Sequence, residues 1–159
     1  MKNLVLISFL FFSVLSFSQK EKNIDLRTFY YTAIKNKIDY EKGMIKSGVS
    51  ARKINDYYFV FKDDSMNDYL PANIEGYKIN YINIYGRKNK RLLKKGIYAF
   101  QIQPIKLKGG RIEIDLIDFQ ITYKNKNYNM ANGGGSTTVF EYSCSTNKWE
   151  FIETKHHGI

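Results

Sequence analysis

The sequence predicts an α+β domain in which one N-terminal amphipathic helix lies on a curved antiparallel β-meander. Three observations carry this reading. Apolar side chains between Leu26 and Ile38 recur at helical spacing, nearly everything after Gly76 has the composition of strands, and tight turns divide that second part into hairpins.

In chain order the first element is an export leader. Lys2 and Asn3 precede an apolar and hydroxyl run from Leu4 to Phe17, and Ser16 and Ser18 stand at minus three and minus one before Gln19. The run is too short to cross a hydrocarbon layer of ~30 Å comfortably, and Gln19, Lys20, Glu21 and Lys22 cut it off. Residues 1–18 are therefore expected to be removed, and 19–159 to fold as a single domain of about 140 residues, long enough to bury a core. The expected location is periplasmic or secreted. No Cys follows the apolar run, so no lipid anchor is expected, and no later segment is long and apolar enough to span a membrane as a helix.

Leu26, Phe29, Tyr30, Ala33, Ile34, Lys37, Ile38 and Glu41 share one helical face, with Arg27, Lys35, Asn36, Asp39 and Lys42 opposite. Asn23 or Asp25 can cap the helix, and Gly43 can end it. Met44 to Asn55 reads as a loop. Tyr57 to Phe61 is apolar on both faces and too short for a helix, hence a buried strand. Asp63 to Asn73 reads as a short helical turn broken at Pro71.

Tyr77 to Tyr85 alternates loosely as a strand. Gly109-Gly110 makes a two-residue turn between Ile97–Leu107 and Ile112–Tyr123. That register sets Lys108 opposite Arg111, Leu107 opposite Ile112 and Lys106 opposite Glu113. Continued unbroken, it pairs Ile105 with Ile114, Ile102 with Ile117 and Phe100 with Phe119. The apolar positions change from even to odd near Pro104 and Leu116, which predicts a bulge or bend there. A second turn at Lys124-Asn125-Lys126-Asn127 pairs Tyr123 with Tyr128 and Ile121 with Met130. A third, at Ser145 to Lys148, sets Cys144 opposite Trp149 as a buried thiol. The order of elements resembles the cystatin or NTF2-like rolls, in which a helix lies in a bent sheet. The resemblance rests on order alone, without a motif, and implies no function.

The formal net charge is +10, of which the leader contributes only Lys2. A basic exported protein points to an anionic envelope polymer or protein as partner, ahead of nucleic acid. Cys144 is the only cysteine, so no internal disulfide forms. No motif for a cofactor is present, and none is expected. Asp63, Ser65 and Asn67 imitate a calcium loop, but Asp68 stands where Gly is needed and Ile74 where a bidentate Glu is needed. Gly133 to Thr137 lacks the Lys and the following helix of a phosphate loop, and reads instead as a bulge. His156 and His157 point apart on an extended chain and read as a tail without metal.

Glu113 and Asp115 share a strand face, the spacing that could present an acid and a base; the plainer reading pairs Glu113 with Lys106. Arg87, Lys88, Lys90, Arg91, Lys94 and Lys95 form the densest charge in the chain, between two strands; the plainer reading is a solvated loop that protects a sheet edge, and the functional one makes them the candidate anion patch. Tyr77, Tyr81 and Tyr85 share one face of the preceding strand; facing the helix they are core with wetted hydroxyls, and on an open face they are the candidate stacking surface. The chain therefore reads as an exported, non-enzymatic binding or interaction protein. The alternatives are an envelope hydrolase using Glu113 and Asp115, and a carrier of a small apolar ligand between helix and sheet.

Overall fold

The computed structural model describes residues 25–50, 56–61 and 69–158. The leader, the calcium-like Asp63, Ser65 and Asn67, and the start of the short helical turn expected from Asp63 lie outside them. The described residues form α1 (Leu26–Lys46), β1 (Asp56–Phe61), β2 (Asn73–Ile74), β3 (Tyr77–Tyr81), a 3-10 turn (Arg87–Asn89) and α2 (Lys90–Lys95). They continue with β4 (Ile97–Ile102), β5 (Lys106–Lys108), β6 (Arg111–Lys124), β7 (Asn127–Ser143) and β8 (Lys148–His157). The architecture is α+β: one long helix against a strongly curled, mostly antiparallel sheet of eight strands, a half-barrel.

Asp25 caps α1, its carboxylate accepting from the Arg27 amide at 3.1 Å. Gly43 does not end the helix. With open space around it and ordinary helical geometry available, it stays inside, and the chain turns at Ser47 and Gly48, which takes the left-handed conformation at φ 76°.

The sheet is not a simple meander. Its order is β2-β3-β1-β4-β6-β7-β8, with β5 beside β6, and β1 runs parallel to both β3 and β4. A strand inserted in the middle of a sheet is covered on both sides. Tyr57 and Phe59 accordingly enter one cluster and Val60 the other, which is why this segment lacks alternation.

The Gly109-Gly110 turn and its first three pairs stand as expected. Beyond them the ladder slips by one: Ile102 meets Leu116, Gln101 meets Ile117 and Ala99 meets Phe119, so Phe100 faces Asp118. Ile105 has left the ladder and does not pair with Ile114. Pro104 has no amide to donate, and the chain bends there, the Gln103 amide reaching the Asp115 carbonyl at 2.9 Å.

The change of apolar phase has two different causes on neighbouring strands. Along β4 and the facing stretch of β6 the ladder is continuous and side chains alternate normally. Phe100, Ile102, Ile112, Ile114 and Leu116 join the core beneath α1, whereas Ile97, Ala99 and Ile121 join a second core on the opposite face. The phase changes because a different face is covered. On β7 the chain itself turns over: Gly135 pairs Ile117 but Asn132 pairs Phe119, leaving one extra residue at the glycines. Tyr128 and Met130 thus face the second core and Ser136, Thr138 and Phe140 the first, all at even positions. Gly134 makes this possible at φ 108°, where a Cβ would strike the His157 carbonyl oxygen.

Candidate functional site

The segment from Arg87 to Lys95 is helical rather than a loop. Lys, Arg and Leu are strong helix formers, and the run carries its own anchor: Leu93 is fully buried and Leu92 half-buried in the second core. Asn89 fastens the entry by donating from its side-chain amide to the Asn83 carbonyl at 2.7 Å. The cations are therefore held on a short helical ramp. Arg87, Lys88, Arg91, Lys94 and Lys95 are exposed, and Lys90 is half-buried. Among the described residues no carboxylate pairs with any of the six, although the protein forms ion pairs elsewhere.

The three tyrosines do not share a face. β3 ends at Tyr81; the Ile82 amide binds the Phe59 carbonyl, and Asn83 then turns the chain by accepting from the Tyr85 amide at 2.9 Å. Tyr77 and Tyr81 stay against the core under α1. Tyr77 lies edge-on to Tyr57 at 5.5 Å, with the Lys42 ammonium 4.5 Å above its ring. Tyr81 donates to the Pro71 carbonyl at 2.7 Å, and burial holds its phenol well above the usual range. Tyr85 is separated from them and 69% exposed. It packs edge-on against Tyr128 at 5.1 Å, and Tyr128 lies 4.7 Å from Tyr123.

This brings an unforeseen pair to the site. Tyr123 and Tyr128 are the last cross-strand pair but one before the Asn125-Lys126 turn, and the Lys90 ammonium sits 5.1 Å over the Tyr123 ring. The expected turn at Lys124 to Asn127 already opposed the two tyrosines; what the sequence withheld was that α2 lies beside them. A patch of cations on one side and a tyrosine cluster on the other thus meet at Lys90.

Of the two candidate carboxylates on β6, Asp115 is the one tied to neighbouring side chains. Lys106 lies opposite Glu113 but pairs instead with Asp115 at 2.6 Å, and Thr137 donates to the other Asp115 oxygen at 2.7 Å. Burial by itself pushes the Asp115 carboxyl up; the Lys106 and Thr137 hydrogen bonds outweigh it and hold it below the ordinary carboxylate range. A general acid needs the opposite shift. His157 approaches Thr137 at 3.4 Å, but the hydroxyl stands between Asp115 and the imidazole. In a nucleophilic triad the imidazole holds that middle place.

The histidines are part of β8 rather than a tail. His156 stacks on Tyr40 of α1 with ring centres 3.8 Å apart, and burial together with the nearby Lys37 charge lowers its pKa. Lys37 is only 1% exposed; its ammonium lies 2.6 Å from Asp118 and 3.3 Å from Glu41. A cleft of about 550 Å³ opens beside this cluster, between Tyr40, Glu41, Tyr98, Asp118 and His157. The signal in the sequence was a Lys and a Glu, four apart, on an otherwise apolar stripe.

Cys144 is exposed. The last turn spans Cys144 to Asn147, one place earlier than expected, because Asn147 accepts the left-handed conformation at φ 51°. Trp149 therefore pairs with Tyr142, and Cys144 sits in the turn. No family model matches this chain, and neither do any of the curated proteins or solved structures compared, so the site rests on its own chemistry.

Proposed function

We propose that this is an exported, non-enzymatic binding protein that holds an anionic partner on the ramp formed by the 3-10 turn and α2, with Tyr85, Tyr123 and Tyr128 as its aromatic border. The observation that carries this reading is six neighbouring cations that have no carboxylate partner among the described residues, fixed by a buried leucine rather than on a free loop. Their fields add within about a Debye length and attract a polyanion. The tyrosine rings offer flat apolar faces to sugar rings, which favours an anionic polysaccharide of the envelope. The hydrolase reading gains no support from Asp115, whose shift suits a structural carboxylate. The carrier reading gains none from the helix–sheet interface, which Ala33, Ile34, Ile38, Ile102 and Ile114 fill with no exposed surface. The arrangement of a helix in a curled sheet keeps the cystatin or NTF2-like roll as a resemblance without functional weight.

The test is binding to immobilised heparin and to lipopolysaccharide by the wild type and by a variant with glutamine at Arg87, Lys88, Lys90, Arg91, Lys94 and Lys95. Expected are salt-sensitive binding by the wild type, its loss in the variant and an almost unchanged thermal midpoint. Equal binding by both proteins, or none by the wild type, overturns the proposal.

A further inference from the structure

A strand at the edge of a sheet presents unused amides and carbonyls, and long edges recruit further strands unless something blunts them. β2 closes one side of the sheet with only two residues. β8 closes the other with ten, and among the described residues nothing pairs with its outer edge. Phe151 and Ile152, at its middle, are each 48% exposed.

β8 also has an unusual internal pattern. Phe140 pairs with Phe151 but Val139 pairs with Glu153, so Ile152 is the extra residue of a bulge. Before it, the odd residues face α1: Trp149 lies 6.3 Å from Phe29, and Phe151 lies 6.0 Å from Phe140. After it, the even residues do so: Thr154 accepts from Asn36, and His156 stacks on Tyr40. Glu150, Glu153 and Lys155 occupy the other face, where Lys155 and Glu153 are 2.8 Å apart.

A strand joining this edge in antiparallel fashion must set like face against like. A second copy of β8 does so about a twofold axis between Ile152 and Glu153. Phe151 then opposes Thr154 of the second copy, Trp149 opposes its His156, and Glu150 opposes its Lys155, each contact occurring twice. Moving the register by two one way sets Glu150 against Glu153 and Lys148 against Lys155, which opposes like charges; moving it the other way sets Glu153 against Thr154, which opposes unlike faces. We propose that the protein associates with a second copy of itself by antiparallel pairing of the two β8 strands in this register, continuing the sheet from one protomer into the other. The surface is isologous, as a twofold dimer requires, and charge complementarity selects its register.

Sedimentation velocity on the chain from Gln19 to Ile159, across the micromolar range with reductant present, tests this. The wild type is expected to dimerise reversibly. Glu150→Lys or Lys155→Glu alone places like charges together twice per dimer and should weaken association about tenfold. The double variant E150K/K155E should restore it. Circular dichroism melts of each variant verify folding, so rescue by the double variant separates lost pairing from a damaged hairpin. A wild type that stays monomeric, single variants that dimerise unchanged, or a double variant no better than the singles overturns the proposal. So does a dimer that disappears on Cys144→Ser, which would place the contact at the exposed turn rather than along β8.

Discussion

Replacing Lys37 by methionine keeps the unbranched stem and removes only the charge, so it isolates what the buried ammonium does. That ammonium makes a 2.6 Å bond to Asp118 and lies 3.3 Å from Glu41, at 1% exposure. A charge-assisted bond of this kind contributes about 1.5–3 kcal/mol. Its loss also leaves a buried carboxylate, Glu41, near a half-buried one, Asp118, without the intervening cation. Removing one partner from such a cluster typically destabilises by about 3–5 kcal/mol. The whole stability of a domain this size is about 5–15 kcal/mol, so the loss is a large fraction of it. At about 3 °C per kcal/mol, the thermal midpoint of Lys37→Met should fall by roughly 10 °C. Urea unfolding followed by circular dichroism at neutral pH measures this directly. Asp118→Asn should cost less in the Lys37→Met background than in the wild type, since the bond it breaks is already gone. A Lys37→Met variant within about 1 kcal/mol of the wild type would refute the view that this cluster holds α1 to β6.

The His156 pKa is lowered in the folded state, so below its ordinary value of 6.5 the unfolded chain binds the proton first and stability falls with pH; above that value the contribution is fully present. His156→Phe, which can still stack on Tyr40, should flatten the dependence of unfolding free energy on pH in that window. An unchanged slope would show that the imidazole is not the group responsible. Gly134→Ala should destabilise by more than about 2 kcal/mol, because φ is 108° and the new methyl meets the His157 carbonyl; a melt that matches the wild type would contradict the bulge. Cys144 should react with a maleimide in the native state as fast as in urea, since it lies in the exposed last turn, whereas strong native protection would return it to the core.

What could be read from the sequence was most of what is decided within a few residues, the helix end at Gly43 and the place of the last turn excepted. The stripe from Leu26 to Ile38, the Asp25 cap, the Gly109-Gly110 turn and the Tyr123–Tyr128 pair all follow from helical period, side-chain capping and the backbone freedom of turn residues. Glycines at 133–135 announced a bulge, and the change of phase near Leu116 announced that something alters there. Tertiary structure decided the rest. No local pattern says that β1 is inserted parallel between β3 and β4, because strand pairing is chosen by contacts far apart in sequence. Nor could periodicity tell a strand that turns over from one whose covered face changes; β7 does the first and β4 and β6 the second, and only the presence of cores on both sides of the sheet distinguishes them. The basic run looked like a loop because charge suggests solvent, yet Leu93 finds a buried place on the far face and makes it a helix. Lys37 and Glu41 looked like passengers on an apolar stripe until Asp118 arrived from β6 to bind the ammonium. Short-range geometry is written in neighbouring residues, whereas burial belongs to whatever the rest of the chain brings to cover them.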